Sequence, residues 1–262
     1  MRTHMMGSIV FGVTILVAVP PAAAQSDFQW RRQLLSGQAI EIKGVNGDIR
    51  ATASSSGEVE VTATKSARQS NPADVRIEVV PHAGGVTICA VYPTAPGREP
   101  NTCEPGAAGR SNTRDNDTVV HFDVRVPYGV GFVGRTVNGE ISGEFLQGDA
   151  EAHTVNGSVR LATTGLAVAN TVNGSVNVTM GGADWPNGAT FKTVNGGITL
   201  TLPSAFDAEL VATTMNGSIT ADFPITVTGT ISRRRLSGRI GNGGHELHLS
   251  TVNGSIKLLR AQ

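Results

Sequence analysis

Hydrophobic and polar residues alternate with period two along most of this chain, and the alternation is interrupted at recurring points. A hexapeptide marks them: GVNGDI at 44–49, TVNGEI at 136–141, TVNGSV at 154–159 and 171–176, TVNGGI at 193–198, TMNGSI at 214–219 and TVNGSI at 251–256. Counted from the Val or Met before the Asn, positions −5, −3 and −1 read Ala150, Ala152, Thr154 in one unit and Ala189, Phe191, Thr193 in another. Position +4 is always Ile or Val: Ile49, Ile141, Val159, Val176, Ile198, Ile219 and Ile256. Residues between them are polar, such as Glu41, Lys43, Glu151 and His153. Period two with one apolar face predicts strands with one buried side. Between each pair of strands stands an Asn-Gly pair, which can supply the positive φ angles of a tight reversal. The predicted turn residues are Asn46, Gly47, Asn138, Gly139, Asn156, Gly157, Asn173, Gly174, Asn195, Gly196, Asn216, Gly217, Asn253 and Gly254. A second turn in each unit is marked by residues such as Gly148-Asp149, Thr164-Gly165 and Gly181-Gly182.

From Asn138 the Asn-to-Asn spacings are 18, 17, 22, 21 and 37. The last gap is too long by one unit, and RLSGRI at 235–240 fills it as a degenerate copy with Ser237 in place of Asn. The C-terminal half then reads as seven consecutive units, with an isolated copy at Asn46. Two architectures accommodate this pattern. In an antiparallel meander or sandwich each Asn-Gly is a hairpin turn. In a β-solenoid each unit is one coil, successive coils pair in parallel, and like residues stack. Turn chemistry favours the first; near-identity of the units favours the second. The expected fold is therefore all-β, a right-handed β-solenoid of about seven short coils. Between 57 and 128 the Asn-Gly signal stops and longer strands are predicted over 58–64, 75–80, 86–92 and 118–126. These are read as an N-terminal β cap over an otherwise aggregation-prone open end. The expected organisation is a signal peptide over 1–24, cap and first coil over 25–135, and the repeat solenoid over 136–262, continuous with the cap.

The leader expectation rests on Arg2 and His4, an apolar run from Ile9 to Val19, and the small-residue end Pro20-Pro21-Ala22-Ala23-Ala24. That is the layout of a secretory signal cleaved after Ala24, and the run is shorter than a membrane span. The chain is predicted to be exported to the periplasm, cell surface or medium. Export gives meaning to the two cysteines, because an oxidising compartment favours a Cys89–Cys103 disulfide pinning the Pro/Gly-rich stretch 93–114 to the preceding strand.

Composition narrows the function. Of 262 residues 32 are Gly, only 16% are charged, 5% are aromatic, and Lys+Arg and Asp+Glu both total 21. A neutral chain with few rings lacks the basic excess and stacking groups of a nucleic-acid binder.

The repeated TVNGSI and TVNGSV motifs, the stretch IEIKGVNGDIRATASSSGEVEVTATK (40–65) and the bridge FDVRVPYGVGFVGRTVNGEISGE (122–144) resemble a bacterial family of uncharacterised β-strand-repeat domains named "putative adhesin". The resemblance spans about 37–259. It implies an exported all-β solenoid at the envelope or surface, and brings no catalytic residues. The Ser237 unit departs from the pattern.

Enzymatic and metal signals are weak. His245-Glu246-Leu247-His248 lacks the two-residue gap of a zinc-binding H-E-x-x-H, and on a strand the two histidines face opposite ways. Gly241-Asn242-Gly243-Gly244 lacks the repeated Asp of a calcium β-roll. Asp115 and Asp117 sit in a polar loop near Asp123, and Arg233-Arg234-Arg235 reads as a solvated turn. Asn-Gly-Ser at 156, 173, 216 and 253 meets the glycosylation pattern, but turn composition explains it. The expectation is a non-enzymatic adhesion or interaction module with no cofactor and no metal. Its partner would be a surface glycan or an envelope protein, not nucleic acid. A polysaccharide-active enzyme and a purely structural periplasmic scaffold are the alternatives.

Overall fold

The structure is a computed structural model that describes residues 27–181, 188–227 and 232–261. The signal-peptide expectation for 1–24 lies outside the described residues. The chain is all-β: its strands form one sheet of ten and one of eleven, and the helical content of the described residues is a single 3-10 turn, Pro72–Asp74. Both sheets are mixed and neither closes into a barrel.

Each Asn-Gly unit puts its leading strand in the larger sheet and its trailing strand in the smaller one. The Asn138 unit contributes Gly131–Arg135 and Ile141–Leu146; the Asn156 unit contributes Ala150–His153 and Val159–Thr163. Neighbouring units pair in parallel in both sheets, Ala150 opposite Phe132 and Ala167, Val159 opposite Ile141 and Val176. The core lies between the sheets as rows of like residues. Ala152, Ala169, Phe191 and Leu249 line one side, and Ile141, Val159, Val176, Ile198 and Ile256 the other, none more than 1% exposed. The small residues keep the sheets close, and the rare large ring, Phe191, faces its partner sheet from a row otherwise rich in Ala.

Spatial order departs from chain order at two places. The copy at Asn46 is isolated in sequence but not in space: its strands Ala39–Lys43 and Ile49–Ser54 pair directly with those of the Asn138 unit. On its other side lie Gly85–Val91 and Val119–Pro127, also parallel, so part of the predicted cap extends the same stack. Antiparallel strands then close that end, Phe28–Arg32 and Val59–Ser66 in one sheet and Arg76–His82 in the other. At the opposite end the Asn216 unit overshoots by one place. The C-terminal unit, Glu246–Asn253 and Ile256–Arg260, fills the slot between the Asn195 and Asn216 units. The predicted Ser237 coil is absent. Arg235–Ile240 runs antiparallel against Ala208–Asn216, with Ser237 opposite Val211, and closes the sheet edge together with Ile225–Val227. Antiparallel strands at the margins leave less parallel edge to recruit other chains.

The Asn-Gly pairs serve a different purpose from the one expected. No Asn of the motif has a positive φ, and among the motif glycines only Gly47 (φ 124) and Gly174 (φ 159) fall in the left-handed region. The chain bends from one sheet to the other instead of reversing, so a hairpin turn is not needed. Glycine is required because there is no space: a Cβ on Gly157 would lie 1.9 Å from Gly139 O, and one on Gly139 2.0 Å from Gly47 O. Asparagine is required for a side-chain ladder. Asn138, Asn156, Asn173, Asn195, Asn253 and Asn216 each donate Nδ2 to the Oδ1 of the neighbour's Asn (Asn46, Asn138, Asn156, Asn173, Asn195 and Asn253) at 2.7–2.8 Å. In every unit but that of Asn46, which has Gly44 there, the buried Thr before the pair donates its hydroxyl to the neighbouring Gly carbonyl, as Thr171 does to Gly157 and Thr193 to Gly174, both at 2.8 Å. The hexapeptide is thus a stacking code in which every position answers to the coil beside it.

Candidate functional site

The stacked core fixes what the outer faces present. On the larger sheet Glu41, Arg135, Glu151 and His153 point outward from the Asn46, Asn138 and Asn156 units and join into one network. Glu41, 6% exposed, accepts from Arg135 Nε and from the Thr87 hydroxyl and the Gly106 amide, each at 2.8 Å. Arg135 reaches on to Glu151 with Nη2 at 2.6 Å, and Glu151 also meets His153 Nε2. The His153 hydrogen bond and the nearby Arg135 hold the Glu151 carboxyl below the usual carboxylate range. Lys43 Nζ donates to the carbonyls of Glu104, Gly106 and Ala108, and burial lowers its pKa while Glu41 pulls the other way. These bonds fasten the 93–117 loop over the sheet. The loop is also held at Cys89 and Cys103, whose sulfurs are at bonding distance with Cα atoms 5.7 Å apart. The Tyr92 hydroxyl donates to Thr118 O at 2.9 Å; burial pushes its pKa up to about 12.

Beside this network, the second turns of successive units stack at one corner of the molecule. Gly37 N donates to Gly129 O, and Gly129 N to Gln147 O, at 2.9 and 3.0 Å. Each of these three turns exposes one large apolar side chain: Leu35 at 69%, Tyr128 at 77% and Phe145 at 78%. Phe145 is placed by a bulge. Leu161 pairs with Gly143 but Thr163 with Leu146, so the Asn138 unit carries an extra residue there. Leu146 takes the buried position and Phe145, at φ 55, is turned into solvent. A bulky residue in the left-handed region is costly and is retained where its surroundings demand it. Next to the turns is a groove of about 270 Å³ whose lining includes Gly37, Gln38, Gly129, Val133, Glu151 and Val168. Its walls combine outward valines with an ionised carboxylate and an amide, the composition of a small site that grips an apolar face and orients polar groups.

The candidates drawn from sequence distribute as follows. The fourteen Asn and Gly residues form the ladder at the first corner, and the cysteines hold the loop edge of the network. His248 pairs with Glu246 at 2.9 Å, while Arg233 and Arg234 occupy an exposed turn and Arg235 opens the strand that follows it. Asp117 is a loop clamp: it accepts from the amides of Arg68, Gln69 and Ser70 at 2.9–3.0 Å. Asp115 is exposed at φ 52, and Asp123 faces outward on its strand. Gly241–Gly244 form a turn held by Asp207, which accepts from Asn242 N at 2.9 Å. Among the described residues no helix is long and apolar enough to cross a membrane. Sequence reading missed Leu35, Tyr128 and Phe145. The signal for Phe145 was present: Phe145 and Leu146 are adjacent where alternation allows one inward residue.

No curated protein matches this chain. Three solved structures align along most of it at low identity. A "putative cell adhesion protein" from Clostridium sporogenes is 12% identical, with 89% of this chain and 99% of that one covered at a TM-score of 0.41. A "putative adhesin" from Bacteroides fragilis is 10% identical, with 90% and 98% covered and a TM-score of 0.23. Another from Parabacteroides merdae is 12% identical, with 90% and 96% covered and a TM-score of 0.24. Residues 140–259, which hold the stacked units from Ile141 to the C-terminal insertion, match the family model described as Toastrack DUF4097.

Proposed function

We propose that this protein is an exported, non-enzymatic adhesion module of the bacterial envelope. In this reading it is a rigid right-handed β-solenoid of about seven coils that binds a surface glycan at the corner bearing Leu35, Tyr128 and Phe145. The observation that carries the reading is the exposure of three large apolar side chains on three hydrogen-bonded turns, one of them held at a left-handed φ. Sugar rings offer apolar C–H faces that pack on such side chains, and hydroxyls that bond to groups like Gln38 and Glu151. A groove of about 270 Å³ suits a single ring. The parallel crossover rule supports the right hand. The lowered pKa of Glu151 keeps it ionised, so it suits accepting hydrogen bonds from sugar hydroxyls and does not suit the role of a general acid. The test screens the exported protein on a glycan array beside a Tyr128→Ala/Phe145→Ala variant and incubates it with uronate polymers. Saturable binding that weakens ~tenfold or more in the variant is expected, in line with lost ring contacts. Unsaturated, ultraviolet-absorbing product would overturn the non-enzymatic reading. Binding unchanged in the variant would overturn the site.

A further inference from the structure

Among the described residues, the Asn ladder gives every Asn but one a donor to its side-chain Oδ1. In an Asn-Gly sequence the amide nitrogen of Gly can attack the Asn side-chain carbonyl carbon, since Gly has no side chain to obstruct the approach. Two things block this along the stack. The amides of Gly47, Gly139, Gly157, Gly174, Gly196 and Gly254 each donate to an Asn carbonyl of the next unit, at 2.8–3.0 Å. Each Asn before them also has its side-chain Oδ1 occupied by the neighbouring Nδ2. Asn242-Gly243 is held separately: Asn242 Nδ2 donates to Asp207 Oδ2, and Gly243 N to Ile240 O, both at 3.1 Å.

Asn216-Gly217 is the open end of the ladder. Asn216 Nδ2 reaches Asn253, but among the described residues nothing donates to its Oδ1 and the Gly217 amide has no acceptor. Both residues are exposed, as is Met215 before them at 62%, while the other ladder glycines are buried or half-buried.

We propose that Asn216 is a site of spontaneous backbone-assisted deamidation in the folded protein. Gly217 N bonds to Asn216 Cγ, the Cγ–Nδ2 bond breaks, and the proton of the Gly217 amide leaves with that nitrogen as ammonia through solvent. Water then opens the resulting five-membered imide at either carbonyl. Attack at one returns an Asp; attack at the other gives an isoaspartyl linkage. The overall change is one water consumed and one ammonia released, with no oxidant or reductant. A carboxylate at 216 no longer donates to Asn253, so the ladder acquires a negative charge at this end and Asn253 must turn its amide over to bond with it.

The test incubates the mature protein at mildly alkaline pH, in an Asn187→Gln background that removes the further Asn-Gly pair at 187–188 from the comparison. Peptide mapping by mass spectrometry follows the one-dalton gain and the isoaspartyl signature at each Asn-Gly. Accumulation at Asn216 while Asn46, Asn138, Asn156, Asn173, Asn195, Asn242 and Asn253 stay intact is expected. In urea all eight should convert at comparable rates. Asn216→Gln should abolish the native-state signal without exposing another site. Conversion of an interior Asn as fast as Asn216 in the folded protein would overturn the proposal. So would an unmodified Asn216 over the interval in which the unfolded protein converts.

Discussion

Asn138 donates its side-chain amide to Asn46 Oδ1 at 2.8 Å, although the two stand 92 positions apart in the chain. With the strand pairing on either side of it, that contact joins the copy that looks isolated in sequence to the main run. It also sets the direction of a ladder in which every amide points the same way. Each interior Asn gives one hydrogen bond and receives one, so the effect of a substitution depends on which of the two roles is lost.

Asn156 donates to Asn138 and accepts from Asn173, both at 2.8 Å. Asn156→Ala removes both bonds, and at about 1 kcal/mol net for each the expected loss is about 2 kcal/mol. Asn156→Asp still accepts from Asn173. Asn138 and then Asn46 can turn their amides over to restore the remaining rungs with donor and acceptor exchanged. Asp is therefore expected to lose less than half of what Ala loses. Urea denaturation midpoints followed by circular dichroism would show it; an Asp variant as weak as the Ala variant would refute the reversible ladder.

Gly157 and Gly57 separate the steric requirement from the conformational one. A Cβ at 157 would sit 1.9 Å from Gly139 O, whereas one at 57 meets nothing within 4 Å. Neither residue has a left-handed φ. Gly157→Ala must push one coil off the next and should lose at least about 3 kcal/mol, the upper range of overpacking. Gly57→Ala should be neutral or slightly stabilising. Equal midpoints for the two variants would contradict the stacking account of the motif.

The same residues show how far sequence reading reaches. Alternation about the Asn-Gly pairs places Ala152, Thr154 and Val159 inward, and all three are buried. Neighbour relations were not legible, because units with the same Thr-Val-Asn-Gly corner offer interchangeable edges. Nothing local says that Asn253 stacks between Asn195 and Asn216. Arg235–Ile240 mimicked a unit in spacing, but Ser237 cannot span a rung as an amide does, and its strand runs antiparallel. The candidate site was obscured for another reason: Leu35, Tyr128 and Phe145 are far apart in sequence and obey no period.

Asp117 makes the 66–74 connection acid-sensitive. The Ser70 amide and hydroxyl, then the amides of Arg68 and Gln69, lower its pKa to about 2. An Asp in an unfolded chain titrates near 3.9, so the folded value is depressed and the unfolded state takes up the proton first. The clamp's contribution is complete above that range and is lost as pH falls from about 4 toward about 2. Amide exchange at 68–70 should accelerate in that window, and Asp117→Asn should already show the acidic behaviour at neutral pH. Exchange independent of pH, after correction for intrinsic rates, would discount the clamp.

The Cys89–Cys103 link closes a loop with a sequence separation of 14. On the chain-entropy model a loop of this size contributes about 3 kcal/mol. Lys43 still holds Glu104, Gly106 and Ala108 when the link is cut, so the loop should loosen without leaving the sheet. A Cys89→Ser/Cys103→Ser variant is expected to lower the unfolding midpoint and raise exchange across 93–117, and Lys43→Met added to it should raise exchange further. Two titratable thiols in the protein recovered from the cells that make it would show that the link does not form in its native compartment.

On the proposed function, Phe145 sets stability against binding at a single position. Its φ of 55 costs a non-glycine residue about 1–2 kcal/mol. Its ring, 78% exposed, recovers little of that by burial. Phe145→Gly relieves the strain but gives the unfolded chain more freedom, which takes back about 0.5–1 kcal/mol. The net expectation is a variant more stable than the parent by about 0.5–1 kcal/mol. Phe145→Ala keeps the strained backbone and should show no such gain. Both variants remove the ring and should bind glycan equally poorly. Thermal and urea midpoints measured beside array binding give the answer in one experiment. A Gly variant less stable than the parent would mean that the ring packs against the turn and is not displayed for a ligand. A Gly variant that binds as well as the parent would move the contact surface away from this corner.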